Sequence, residues 1–400
     1  MMTFSGALGA RLLAPACLSV LAALSPVASA HAQPAAPQAK AQPADTIEVK
    51  DVAGRTVRVR APVSRVILGE GRQIYVVAAL DKEDPFRRVV AWRDDLAKAD
   101  PSTFKLYEAR NPGIGKLPTF GGMKEGSFDV EQAVALKPDV LLMNIEAKVA
   151  SDEAKLVEKL AGVGIPVVYV DFREKPFENT EPSLRLMGKL FGREAAAEEF
   201  IAFRAKEIAR VEERLKAANL AEAKKPLVMI DRAGGYSDDC CMSFGRENFG
   251  RMVELAGGRN LGSDLIPGTF GTINPEQIVA SKPDAVIVTG SAWDAYVPGG
   301  AWVGVGPNAD MSEARRKLTA LTQRPAFRTL PATRNGQVHA IWHQFYNSPY
   351  QFVAVQQIAK WLHPDLFRDV DPDATLRALH DRFLPIPYQP GYWVSLQVNG

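Results

Sequence analysis

The sequence predicts an α/β protein of two lobes with mainly parallel sheets, joined by one long inter-lobe helix. Three observations carry that prediction. Short runs that are apolar throughout alternate with helical patterns, and they do so twice along the 400 residues. Strands apolar on both faces are buried on both faces, as in parallel sheets. A nine-residue stretch recurs with seven identities, E-Q-x-V-A-x-K-P-D, at 131–139 and again at 276–284. Between the two copies lies a run of roughly forty residues, rich in Ala, Glu, Lys and Arg, with helical spacing.

Each element follows in order. TIEVKDVAGRTVRVR alternates apolar and polar residues on both sides of Ala53-Gly54, which is the pattern of a hairpin. RVILGEGRQIYVVAAL reads as strand, Gly-rich turn at Gly69 and Gly71, then helix. RRVVAW is the next strand, DVEQAVAL a helix, DVLLMN a strand, DEAKLVEKLAGVG a helix and PVVYV a strand. Gly188 and Gly192 weaken the opening turns of the long helical run, at about 1 kcal/mol each, whereas Glu198 to Ala218 reads as continuous. The alternation then restarts with PLVMI, a Gly-rich loop, NFGRMVELAGG, NPEQIVAS, DAVIVTG, SEARRKLTAL, GQVHAIW and QFVAVQQIAKWL. The expected organisation is therefore a signal peptide at 1–30, a flexible linker at 31–45, an N-terminal α/β lobe at 46–178, an inter-lobe helix at 179–222 and a C-terminal α/β lobe at 223–400. Each lobe has the strand-helix pattern of a Rossmann-like unit.

The amino-terminal segment predicts export. Arg11 precedes LLAPACLSVLAAL, which ends in the A-x-A patterns Ala28-Ser29-Ala30 and Ala30-His31-Ala32, so cleavage is expected after Ala30 or Ala32. Cys17 fits a lipid-attachment cysteine poorly, because Pro15 and the short apolar stretch before it suit that motif badly. QPAAPQAKAQPAD, which follows, is a Pro/Ala-rich tether. A total of 48 Lys+Arg against 46 Asp+Glu, with no basic run, gives no footprint for nucleic acid.

In the repeat, Pro stops a helix and Asp suits the turn into a strand, which accounts for K-P-D. It leaves open why Glu131 and Glu276 recur in the first turn of each helix. The helix dipole favours a carboxylate there. The other reading is one exposed carboxylate per lobe, serving a partner that meets both lobes at once.

With the hairpin IEVKDVAGRTVRV, the two E-Q-x-V-A-x-K-P-D motifs and the helix opening LRLMGKLFGREAAAEEF in this order, the sequence resembles the periplasmic substrate-binding proteins of ABC importers for ferric siderophores, haem and cobalamin. The resemblance covers about residues 46 to 384. It implies two rigid lobes with little hinge, a ligand held in the cleft between them, and a glutamate on each lobe that docks into arginine-lined pockets of the importer's membrane-spanning subunits. The matching positions are Glu131 and Glu276. The resemblance also implies a periplasmic location and a binding protein rather than an enzyme, and a monomer is expected.

In open α/β sheets ligands lie beyond the carboxyl ends of the strands. The loops there offer Arg72, Trp92, Arg93, Asn144 and Glu146 in the first lobe, and Arg232, Tyr236, Trp293, Tyr296, Trp342, His343, Phe345 and Tyr346 in the second. From these, Arg72, Trp92, Arg93, Arg232, Tyr236, Trp293, His343 and Tyr346 are the candidate ligand contacts. Guanidinium forks suit carboxylates or metal-bound oxygens, and rings cover apolar parts of a chelate.

His339, His343, His363 and His380 lack metal-ligand spacing, so no protein-bound metal and no intrinsic cofactor are expected. Iron is expected as Fe(III) already wrapped in a chelator. Cys240 and Cys241 form either a vicinal disulfide or a pair of buried thiols that shape their loop. No G-x-S-x-G, GxxxxGK[ST] or GxGxxG after a strand supports an exported enzyme, and no catalytic residue is assigned. Among ligands, the arginines and aromatics favour a ferric siderophore, with haem, cobalamin and a molybdate-type oxyanion as alternatives.

Overall fold

The structure, a computed structural model, describes residues 46–397. The expected signal peptide, Cys17 and the tether lie outside the described residues. The hairpin is formed by β1 (Thr46–Lys50) and β2 (Thr56–Arg60), antiparallel, with Val49 opposite Val57. Its turn is the one the sequence suggests, since Gly54 takes a φ of +79° and the Asp51 carboxylate accepts the Ala53 and Arg55 N–H groups.

The first lobe is a five-stranded parallel sheet of β3 (Val66–Leu68), β4 (Val89–Arg93), β5 (Thr119–Phe120), β6 (Val140–Asn144) and β7 (Val167–Val170), in the order β5-β4-β3-β6-β7. The second contains β8 (Leu227–Asp231), β10 (Arg259–Asn260), β12 (Ala285–Gly290), β13 (Val338–Trp342) and β14 (Trp393–Ser395), in the order β10-β8-β12-β13-β14. Only its edge strand β14 runs antiparallel. A small ribbon that the sequence reading does not contain pairs β9 (Met242–Phe244) with β11 (Phe270–Thr272). In both sheets the direction of winding reverses once, between β3 and β6 and between β8 and β12. Those reversals leave a crevice at the carboxyl ends of the strands.

The chain crosses between the lobes on one long helix, Glu194–Ala218, which packs against Ile74–Leu80 of the first lobe and Gln351–Leu362 of the second. The expected continuity from 179 to 222 does not hold. A separate helix, Pro176–Phe191, ends where Gly192 turns left-handed at φ +62° and the Arg193 N–H returns to the Gly188 carbonyl. That is a glycine helix stop, which only a residue without Cβ adopts at low cost. Phe200 and Phe203 of the long helix join Tyr75, Tyr350, Phe352 and Phe383 in a core that is continuous through both lobes. Burial shared in this way resists separation of the lobes as independent bodies.

The duplicated motif has the same structure in both copies. Lys137 and Lys282 are left-handed at φ +46° and +49°. The following aspartates then reach sideways instead of capping their own turn. Asp139 accepts the Ser64 and Arg65 N–H groups just before β3, and Asp284 accepts the Leu227 N–H at the start of β8. K-P-D therefore clamps the first strand of each sheet to its neighbour.

Candidate functional site

The crevice is built from the loops that the two reversals leave open. After β3 the chain turns at Gly71, where an added Cβ would collide with the Arg93 carbonyl, and the Gly71 N–H donates to Asp95 at 2.6 Å. This close approach aims Arg72 into the space between the lobes. Its guanidinium pairs with Glu70 and, at 2.7 Å, with Asp95, and it also donates to Gln344 and to the Tyr346 hydroxyl of the second lobe. Glu70 accepts further from Asn144 and Asn347. Burial pushes the Glu70 carboxyl up, but Arg72, Arg173 and Arg93 outweigh it and hold it below the usual carboxylate range. Asp95 shows the opposite balance, since burial raises it more than Arg72 lowers it.

After β7, Arg173 pairs with Glu146 at 2.7 Å and stands over the Tyr346 ring at 4.8 Å, a ring that Arg72 approaches at 5.3 Å. After β8, Arg232 stands over Phe270 of β11 at 4.5 Å, and Arg173 meets the same ring at 5.8 Å. The guanidinium groups and rings thus form an alternating row, Arg72, Tyr346, Arg173, Phe270, Arg232, in which each cation gains from a ring face. Among the described residues Arg232 makes no ion pair. Its one side-chain hydrogen bond is a weak one to the Met242 sulfur, and its buried Nε has no acceptor. The buried Nε of Arg173 and Oε2 of Glu146 are likewise unpartnered. Burial raises the Glu146 carboxyl despite the neighbouring Arg173.

On the second-lobe side, His343 is enclosed by Trp293 at 5.3 Å and Tyr346 at 4.3 Å between ring centres, and its Nδ1 lies 2.8 Å from the Thr289 hydroxyl. Burial, reinforced by Arg232, Arg72 and Arg173, holds the imidazole well below its ordinary pKa. Tyr236 packs edge-on to Trp293 at 5.5 Å and near Tyr296 at 6.2 Å, extending an aromatic wall towards solvent. Cys240 and Cys241 close the same loop as a vicinal disulfide.

Residues 75–343 match the family described as periplasmic binding protein. The chain belongs to the periplasmic binding protein family. This periplasmic binding protein is 28% identical to the TroA-like periplasmic binding protein FepB from Veillonella parvula, whose solved structure it matches with a TM-score of 0.78 over 88% of this chain and 100% of that one. The molybdate-binding protein MolA of Haemophilus influenzae is 24% identical over 86% of this chain and 92% of its own length. An uncharacterized ABC transporter substrate-binding lipoprotein of Bacillus subtilis is 20% identical over 64% of this chain and 71% of its own. The family is one of transport proteins that bind substrates for ABC transporters, not a family of enzymes.

Within this binding protein the structure brings Arg72, Arg232, His343 and Tyr346 to the crevice, with Tyr236 and Trp293 forming its wall. Arg93 sits at the rim, held by Glu125 at 3.0 Å. Trp92 does not join them. The alternation of β4 turns it into the core, where it is 2% exposed and packs edge-on to Phe86 at 5.6 Å. Arg173, which follows β7 in V-D-F-R, also reaches the crevice, from a strand end like those of the other candidates. Phe270 gave no signal, because nothing marked β11 as a strand. A surface cavity of about 520 Å³ beside β10 shares no residue with the row, and its Arg246 and Arg251 are paired with Asp264 and Glu254.

Glu131 and Glu276 stand exposed in the first turns of helices Val130–Ala135 and Pro275–Ser281, capped by Asp129 and Asn274. Among the described residues neither makes an ion pair. None of the described helices is long and apolar enough to cross a membrane.

Proposed function

We propose that this periplasmic binding protein captures an anionic metal chelate, a ferric siderophore, at Arg173, Arg232, His343 and Tyr346, with Arg72 holding Tyr346 in place, and presents it to the membrane-spanning subunits of an ABC importer. The observation that carries the reading is Arg232, a largely buried guanidinium without a carboxylate, beside Arg173 with an unused buried donor. A buried charge without its partner is costly, so the arrangement calls for an anion from outside. The wall of Tyr236, Trp293 and Tyr296 favours a ligand with apolar surface over a bare oxyanion. Fe(III) enters as part of the cargo. Export by the predicted signal peptide to the periplasm is part of the same proposal, as is docking through Glu131 and Glu276, since two carboxylates fixed on one rigid body set orientation more than affinity.

One observation favours a second reading. The lobes are bonded directly across the crevice, by Asn347 to Glu70 at 2.8 Å and by Gln344 and Ser291 to the Ala99 carbonyl at 2.9 and 3.0 Å. A site closed so tightly also suits a ligand of few atoms, and the 24% identical relative is a molybdate-binding protein.

Tryptophan-fluorescence titration of the mature chain against ferric hydroxamate, catecholate and carboxylate chelates, haem, cobalamin and molybdate separates these. Saturation by one ferric chelate at micromolar concentration or below, lost in Arg173→Ala/Arg232→Ala, is the expected result. A response to molybdate alone selects the second reading. A response to haem or cobalamin alone, or to none, overturns the ferric assignment. For docking, Glu131→Ala/Glu276→Ala should abolish uptake with ligand affinity unchanged, and uptake at the wild-type rate would remove that role.

A further inference from the structure

The Thr289 hydroxyl sits at the end of β12, fully buried, between two neighbours. It accepts the Ala233 N–H at 2.9 Å, and it lies 2.8 Å from His343 Nδ1. A threonine hydroxyl carries one proton to donate. Left without an acceptor in a buried position, that proton would carry the desolvation cost of an unmade hydrogen bond. Among the described residues His343 Nδ1 is the acceptor within reach. The direction is therefore set: the backbone N–H of Ala233 gives to Thr289, and Thr289 gives to the lone pair of Nδ1. An imidazole that accepts at Nδ1 and is neutral carries its proton on Nε2. Neutrality follows from the surroundings, since the ring is buried and Arg72, Arg173 and Arg232 oppose a further positive charge.

We infer that Thr289 fixes His343 as the Nε2–H tautomer, so that the imidazole offers the crevice a hydrogen-bond donor and not a lone pair for a metal. His343 is then a specificity-determining residue: it donates to an anionic oxygen and disfavours a metal or haem iron that needs imidazole coordination. Ligation through Nε2 would require the proton to move to Nδ1, which turns the Thr289 hydroxyl away from its acceptor. Thr289 acts as a positioning residue, and it does so for both halves of the crevice wall. The N–H it holds belongs to Ala233, the residue after Arg232, so a single hydroxyl sets the ring and the loop that carries the unpaired guanidinium. This inference rests on the anion-binding reading for its purpose, but the tautomer is a property of the free protein.

The test uses protein labelled with ¹⁵N at histidine, with long-range proton–nitrogen correlation at pH 7 and no ligand added. The His343 signals, assigned by their loss in His343→Gln, should show a proton on Nε2 and a bare Nδ1. In Thr289→Val, which keeps the shape but removes the hydroxyl, that preference should weaken to a mixture of tautomers. A proton on Nδ1 in the wild type, or an unchanged pattern in Thr289→Val, overturns the inference. Titration with molybdate and with a ferric carboxylate chelate supplies the second readout. For a probe that binds, His343→Gln, which retains an N–H donor, should stay within about threefold of wild type, and His343→Ala should lose about tenfold. Equal affinity in His343→Ala overturns the donor role. If neither probe binds the wild type, the proposed ligand class fails while the tautomer result stands or falls by the spectrum.

Discussion

Arg72 and Arg232 occupy corresponding places, each after the first strand of its sheet, yet the molecule uses them in opposite ways. Arg72 is enclosed by Glu70, Asp95, Gln344 and Tyr346 and is 8% exposed. Arg232 lies against Phe270, and among the described residues no acid pairs with its guanidinium. One arginine is a staple that holds two lobes in register, and the other is a charge kept available. Equivalent position in a repeated fold therefore does not imply an equivalent role, because partners decide what a charge does.

The largest expected effect comes from breaking the staple. Arg72→Ala leaves Glu70 and Asp95 buried without their cation and should cost about 3–5 kcal/mol of stability, read by denaturant unfolding. Arg232→Ala should cost clearly less. Equal losses in the two variants would erase the contrast.

Asp231, the neighbour of Arg232, sharpens it. Its carboxyl is buried with no hydrogen-bond donor to Oδ2, and burial pushes its pKa up to about 7 from the ordinary 3.8, against a small opposing effect of Arg324. The sign follows from linkage. Below about pH 4 both folded and unfolded states hold the proton, and between about 4 and 7 only the folded state does, so stability falls as pH rises through that window. Asp231→Asn should remove this dependence, gaining on the order of a few kcal/mol over wild type at pH 8 relative to pH 4. Parallel stability curves for the two proteins would mean that Asp231 ionises freely.

Removing both cations that keep an unpartnered buried donor, Arg173→Ala/Arg232→Ala, should weaken binding of the anionic ligand about a hundredfold, or about 2.7 kcal/mol, as measured by calorimetry. The smallest effect concerns Glu146, which pairs with Arg173 and so competes for it. Glu146→Gln should raise affinity several-fold. In the wild type, lowering the pH towards the raised pKa of Glu146 should increase affinity as the carboxylate is neutralised. Weaker binding in Glu146→Gln would make Glu146 a contact instead of a competitor.

Much of the fold was legible because it rests on local signals. DVLLMN and DAVIVTG read as buried parallel strands from composition alone, and both are. The break at Gly192 was half visible, as a weak turn, since a glycine permits a left-handed stop without requiring one. Trp92 was misplaced because a strand end alternates sides, and a loop residue by sequence can still point inward. Arg173 could have been found by applying the strand-end rule evenly.

By itself, the sequence determined two mainly parallel sheets, one crossing helix and a repeated helix-to-strand turn, since periodicity and turn chemistry are written in neighbouring residues. Only the tertiary structure decided which arginines are neutralised, which histidine nitrogen is engaged and which ring lies beside which cation. Those depend on partners far away in the chain, as Arg72 depends on Tyr346 and His343 on Thr289. Over a few ångströms in a buried crevice, the presence or absence of one such partner changes the energy of a charge by more than any local preference does.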